Sequence, residues 1–316
     1  MPTQVNPQEI YLLERYISLD YFGELRDTWE EMVKHLEACL GSFMQNLPPK
    51  YRAAPLPEQP DIVWGNRVLP NFRRTLQSLN TGFILLSHGD VKGLDYANGP
   101  CNDFKGQMDY WSGWMAKPDE EAYETYLNKA ARMAHNIVST EGGYWRPLTL
   151  SNYSGALGPL NPPDQWPAYR INKDVSVRTG EETRHSGIYV PEVDNSCAEF
   201  LSTYRQAPAA TVHVGFEDLL HPTTGEKYGE QPLFESRDCT WYLVERMGES
   251  NAASLVQATE LQQHRRVLAG ESCPETGFYF TPSRAGSRRH FNMGEVMPSF
   301  DTAYGETIWQ WDNVQT

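Results

Sequence analysis

The sequence predicts an α+β fold, with an N-terminal helical bundle followed by a C-terminal, mainly antiparallel β lobe. Three observations lead to this reading. Apolar residues recur at three- and four-residue steps through the first 140 positions, glycine and proline crowd residues 141–187, and short aromatic and β-branched runs follow. Helices bury a stripe and strands bury alternate residues, so a change of period marks a change of structure class.

From Gln8 to Leu47, the positions Leu25, Trp29, Met32, Val33, Leu36, Leu40, Phe43, Met44 and Leu47 form the stripe of an amphipathic helix. A break is expected near Ser18 or Asp20, since either side chain can cap a second helix. Pro48-Pro49 ends the run, because proline donates no backbone hydrogen bond. Tyr51–Asp61 carries Pro55, Pro57 and Pro60 and reads as an extended connection. A further helix is predicted over Leu69–Ser87, with Phe72, Leu76, Leu79, Phe83 and Ile84 on one face. Another is predicted over Asn102–Met115. Pro118, Asp119, Glu120 and Glu121 then open a last helix, as proline and acidic residues both suit a first turn.

The domain reading is a bundle over 1–140, an irregular linker over 141–187 and a β-rich domain over 188–316. Within the last, Thr211–Phe216, Cys239–Val244, Gly277–Thr281 and Thr307–Trp311 read as strands, and Thr224-Gly225-Glu226 as a turn. One helix is expected between Asp194 and Tyr204. No internal repeat or low-complexity tract is apparent.

The 316 residues carry 41 acidic and 27 basic side chains, a formal net charge of −14. Residues 151–316 hold 22 acidic against 13 basic. Such a surface repels phosphate backbones, which disfavours direct nucleic-acid binding, and it suits a basic protein partner. No apolar run approaches the ~18 residues of a membrane span, and the start lacks the pattern of a secretory signal. The five scattered cysteines form no CxxC pair and read as reduced thiols. A cytoplasmic protein with no membrane partner is the expectation.

Chemical motifs are sparse. The sequence has no GxxxxGK[ST], no GxGxxG after a strand, no HExxH, no GxSxG and no EF-hand loop. His88-Gly89-Asp90 offers two potential metal ligands without a third and reads as a helix-ending turn. His264 beside Arg265 and Arg266 reads as a solvated face, and Cys273 as a buried thiol. Arg284, Arg288, Arg289 and His290 form a basic cluster inside an acidic domain, so intramolecular ion pairs are expected there. Asp119, Glu120, Glu121 and Glu124 make the candidate binding patch for a basic partner. No cofactor, metal or catalytic role is expected. The alternatives are a hydrolase whose carboxylates and histidines meet only in the fold, and an adaptor or chaperone that loads an effector.

Cys273–Trp311 is the most distinctive stretch. It contains GFYFTP, GSRRHF, GEVMP and YGETIWQW. These motifs resemble the C-terminal signature of the polymorphic-toxin immunity proteins of families seventy-one and seventy-two, associated with type VI secretion effectors. TGEKY (Thr224–Tyr228), DCTWYLVER (Asp238–Arg246), YLLERYISLDYF and QPDIVWGNRVLPNF extend the resemblance over both halves. The resemblance implies a cognate antidote that binds and blocks a secreted bacterial toxin. It carries over no catalytic residues and fixes no contact positions.

Overall fold

The computed structural model describes residues 5–107, 110–149, 158, 163–247, 266–281, 287–300 and 307–312. The architecture is α+β. Helices occupy the chain from Pro7 to Glu141, and antiparallel strands occupy the described residues from Ala168 onward.

Helix α1 (Pro7–Tyr16) begins at Asn6, whose Oδ1 accepts the Gln8 amide at 3.0 Å. The predicted break falls at Ile17-Ser18. Ser18 Oγ accepts the Tyr21 amide at 3.2 Å and donates to the Arg15 carbonyl at 2.7 Å, closing α1 and capping α2 (Leu19–Gln45). The proline-rich connection is not extended. It winds into 3-10 turns at Tyr51–Ala53 and Leu56–Glu58, then into α3 (Pro60–Val63) and a π-helical turn at Trp64–Val68. Proline suits the first positions of such turns, where its missing amide proton has no partner to lose. Helix α4 spans Leu69–Ser87, as the apolar spacing predicts.

The helix expected over Asn102–Met115 lies earlier, as α5 (Asn98–Gln107). Beyond Tyr110 the chain is not helical, because Trp111 and Trp114 serve other elements. The Trp64 indole donates to the Trp111 carbonyl at 3.0 Å, and the Trp114 ring packs edge-on against Phe43 and Trp64. Helix α6 (Lys117–Glu141) follows.

Two compact units form. One comprises residues 1–22 and 132–255, the other residues 23–131 and 256–316. In the first, Ile10, Leu12, Leu13 and Tyr16 of α1 are buried, and Asn136 Nδ2 donates to the Tyr21 hydroxyl at 3.0 Å. In the second, Trp29 is fully buried against Phe72 and donates to its carbonyl at 3.0 Å.

Strand β1 (Ala168–Arg178) falls inside the stretch read as irregular linker. It pairs with β6 (Thr240–Met247), which pairs with β2 (Gly187–Pro191), which pairs with β3 (Glu199–Leu201), all antiparallel. Strand β3 replaces the helix expected over Asp194–Tyr204. Cys197, Ala198, Glu199, Phe200 and Leu201 are all buried, so the segment has no polar face for a surface helix to present. A separate two-stranded sheet joins β4 (Ala210–Leu220) to β5 (Lys227–Arg237).

The second unit carries β7 (Arg266–Leu268), β8 (Gly277–Phe280), β9 (Arg289–Phe291) and β10 (Ile308–Trp311), in the order β7-β10-β8-β9. This sheet repeats the first, strand for strand, and corrects the expectation of no internal repeat. Val177, Gly180, Glu181, Gly187, Tyr189 and Pro208 recur 90 residues later as Val267, Gly270, Glu271, Gly277, Tyr279 and Pro298. Their contacts recur as well. Tyr189 donates to the His185 carbonyl at 2.7 Å, and Tyr279 to the Glu275 carbonyl at 2.9 Å. Glu181 Oε2 accepts the Arg178 amide at 3.1 Å, and Glu271 Oε2 the Leu268 amide at 3.0 Å. Gly180 and Gly270 hold φ of 83° and 90°, a left-handed turn that a side chain would strain. The indoles of Trp241 and Trp309 donate to the carbonyls of Pro208 and Pro298, both at 2.8 Å.

No helix among the described residues is long and apolar enough to cross a membrane. Because each tryptophan fills its own sheet core, Trp241→Ala and Trp309→Ala are each expected to cost about 3–5 kcal/mol. Urea titration of the two variants measures this. A loss below about 1 kcal/mol at either position would deny it the central role that the shared geometry assigns.

Candidate functional site

Three places hold side chains that could recognise or transform something. The first is the β4–β5 arm. In the second sheet motif the equivalent connection runs only from Pro298 to Thr307, so the arm is an insertion peculiar to the first copy. Its base is anchored by buried Ala210 and Val212, and by the His213 amide donating to the Asn195 carbonyl at 2.8 Å. Beyond that base the ribbon is exposed, with Phe216 at 55%, Leu220 at 55% and Tyr228 at 69% of full accessibility. Two strands alone are marginal in water, and no third strand pairs with this sheet among the described residues. The arm carries Glu217, Asp218, Glu226, Glu230 and Glu235 against Lys227 and Arg237. Both cations are engaged, Lys227 by Asp218 at 2.7 Å and by Glu230, and Arg237 by Glu235 at 3.3 Å. The surplus charge is therefore negative and borders apolar side chains.

The second place is a group of buried acids around β3. Glu9 Oε1 accepts the Ala198 amide at 2.5 Å. Burial still pushes the Glu9 carboxyl up to about 7. Glu199 is 4% exposed, and burial first, then the neighbouring Glu9, push its carboxyl up to about 8. The Cys197 thiol is pushed up by burial first, then by Glu9 and Glu199. Glu199 borders a cavity of about 100 Å³ together with Thr183, Glu141, Gly142, Gly143 and Arg205. Glu9 is not among its lining residues. Acid–base hydrolysis of a glycoside places two carboxyls on opposite sides of the scissile bond. Here the two carboxyl-bearing residues that border the space are Glu199 and Glu141, the latter paired with Arg205 at 2.7 Å.

The third place contains the predicted acidic patch at the start of α6. Glu121 and Glu124 are exposed, whereas Asp119 and Glu120 are half-buried and engaged within the fold. Glu120 accepts Ser112 Oγ at 2.7 Å and Lys117 Nζ at 3.4 Å, and Ser112 first, then Lys117, hold its carboxyl below the usual range. The Asp119 carbonyl lies 2.8 Å from His35 Nε2, itself 3.5 Å from Cys39 Sγ. The donor atoms of His35, Cys39 and Asp119 lie within 4.8 Å of one another. A thiolate, an imidazole and a carboxylate suit zinc. As the chain stands, the His35 contact to the Asp119 carbonyl engages one ring nitrogen, and burial followed by Asp119 pushes the Cys39 thiol up.

Other sequence candidates resolve into structure. His88-Gly89-Asp90 closes α4, with the Asp90 amide donating to the Leu85 carbonyl at 2.9 Å. Arg288 pairs with Asp312, and Arg289 with Glu295 at 3.7 Å, so both are engaged intramolecularly. Cys273 is buried, and its thiol donates to the Glu275 carbonyl at 3.0 Å. Arg284, His264 and Arg265 lie outside the described residues. Sequence reasoning missed the Glu9–Glu199 pair, whose members stand 190 positions apart with no motif around either. It also missed His35 and Cys39, although their four-residue spacing places them on one helix face. Comparison with protein-family models, curated proteins and solved structures finds no match to this chain.

The raised carboxyls have a pH consequence with a definite sign. An unfolded glutamate ionises near 4.3, so between that pH and about 8 the folded Glu199 binds a proton that the unfolded chain does not. Stability from Glu199 is thus greatest in acid, falls as pH rises from about 4.5 to about 8, and then levels off. Each affected group contributes a slope of at most about 1.4 kcal/mol per pH unit. Glu199→Gln, neutral throughout, is expected to flatten the decline in urea titrations at pH 5, 6.5 and 8. A variant as pH-sensitive as the parent would overturn the assignment.

Proposed function

We propose that this protein is an antidote that binds and neutralises a cognate secreted bacterial toxin in the cytoplasm, with the β4–β5 arm as its principal docking element. The observation that carries the reading is the arm itself, a ribbon with exposed Phe216, Leu220 and Tyr228 beside surplus acidic charge. Aromatic side chains ringed by charge are the usual anchors of tight protein interfaces, and a negative field speeds encounter with a basic partner. The overall net charge of −14 acts in the same direction. The resemblance of Cys273–Trp311 to immunity proteins supplies the class of partner. The toxin's active groove, basic where its substrate is nucleic acid, is the surface that such an arm would fill.

The second sheet motif closes its core without an arm, so the arm should be removable without loss of the fold. Replacing Val214–Leu233, beyond the buried base, with a short turn is expected to leave unfolding cooperative. If a toxin is encoded beside this gene, co-expression with it is expected to keep cells alive with the parent chain and to kill them with the armless variant. The parent should form a one-to-one complex in gel filtration. Death with the parent, or equal protection by the armless variant, would sink the corresponding part of the reading. Phe216→Asp with Tyr228→Asp should weaken binding by at least about a hundredfold, as removing two anchors of ~2 kcal/mol or more each implies.

A further inference from the structure

The two sheet motifs act as internal controls for each other, and one difference between them stands out at the cavity beside β3. Position 199 of the first motif corresponds to position 289 of the second, and 205 corresponds to 295. The second motif has Arg289 and Glu295 there, exposed and paired at 3.7 Å. The first has the opposite signs, Glu199 and Arg205. Arg205 is drawn away, its guanidinium 2.7 Å from Glu141 Oε1 and donating to the Glu141 carbonyl at 3.2 Å. Glu199 is left buried, and its carboxyl accepts no hydrogen bond among the described residues. The motif folds with an exposed arginine at this position, so a buried acid is not a requirement of the fold.

A second observation points the same way. Thr183, 3% exposed, lines the same cavity, and its Oγ1 is buried without a hydrogen-bond partner. At the matching position of the second motif, Cys273 has its side chain engaged by the Glu275 carbonyl. Gly143, at φ 67°, lies so close that a Cβ there would stand 3.1 Å from Glu199 Oε2, so the missing side chain leaves that oxygen open. The cavity thus presents a carboxyl and a hydroxyl oxygen, while its arginine is occupied.

We propose that this cavity is a binding site for a protonated amine. An ammonium group has three donors and no acceptor, which matches a wall of unsatisfied oxygens. A volume of about 100 Å³ leaves room for an ammonium with a short alkyl stem. The amine can come from a partner's lysine side chain or from a free small molecule. The site does not depend on the arm or on the toxin reading.

Binding requires the ionised carboxylate, so it releases a proton from Glu199 when the pH lies below about 8. The charged or titratable groups around that carboxyl are Glu9, Glu141, Arg205, Cys197 and Cys239. Glu9, raised to about 7, titrates in the same range. Affinity is therefore expected to rise with pH by up to about tenfold between 6.5 and 7.5, the limit for a single required ionisation.

The test is a pair of NMR titrations of the full chain, one with n-propylammonium chloride and one with Nα-acetyl-lysine methylamide, following the amides of Gly143, Thr183 and Glu199. Saturable shifts confined to these residues in either titration are expected, rising with pH and reduced at least about tenfold in Glu199→Gln. Tighter binding of the lysine derivative assigns the site to a partner's side chain, and equal or weaker binding assigns it to a free amine. Thermal unfolding of Glu199→Gln at or above the parent's temperature shows that the variant is folded. No saturable shift with either probe, or unchanged binding in Glu199→Gln, overturns the proposal.

Discussion

The indole of Trp241 lies fully buried in the middle of its sheet and donates to the Pro208 carbonyl, and Trp309 repeats the arrangement with Pro298. The strands around each are short, three to five residues in β2, β3, β7, β8, β9 and β10, and backbone pairing alone would hold them weakly. A buried indole supplies area over a whole motif, while its N–H fixes where the incoming loop must cross. Around that anchor the tyrosine hydroxyl satisfies a part-buried carbonyl, the left-handed glycine makes the turn, and the glutamate accepts an amide of its own turn.

Duplication of such a motif explains how one chain can hold both a conserved frame and local novelty. The contacts inside the motif are reproduced within a few tenths of an ångström, yet the connection between its third and fourth strands is short in one copy and a long ribbon in the other. Loops on a closed core change length at little thermodynamic cost, so this is where an interaction surface is most easily added. The same freedom applies at Glu199, where one copy places a buried acid and the other an exposed arginine.

The helices were legible because their determinants are local. Stripe spacing, Ser18 as a cap and Pro118 in a first turn each act over one or two turns of chain. Sequence and structure differ where distant residues decide. The Trp111–Trp114 segment leaves the helix because Trp64 and Phe43 engage it, and Glu199–Leu201 becomes a strand because β2 pairs with it. The repeat is hidden in the sequence for a related reason. Six identities keep a spacing of 90 residues, but the arm changes the spacing of the two tryptophans, so no single period spans the motif.

Composition and short-range periodicity govern the α-then-β order, the main helices, the acidic balance and the aromatic core residues. Of the acidic patch that the sequence singles out, Glu121 and Glu124 face solvent, and Glu120 is engaged by Ser112 and Lys117. Packing between segments remote in sequence buries Glu9 and Glu199 near each other, places Thr183 on a cavity wall, and leaves β4 and β5 with no third paired strand among the described residues. Each depends on which residues remote in sequence exclude water from one another. That exclusion raises a carboxyl toward neutrality, leaves a hydroxyl unpartnered or exposes an aromatic ring.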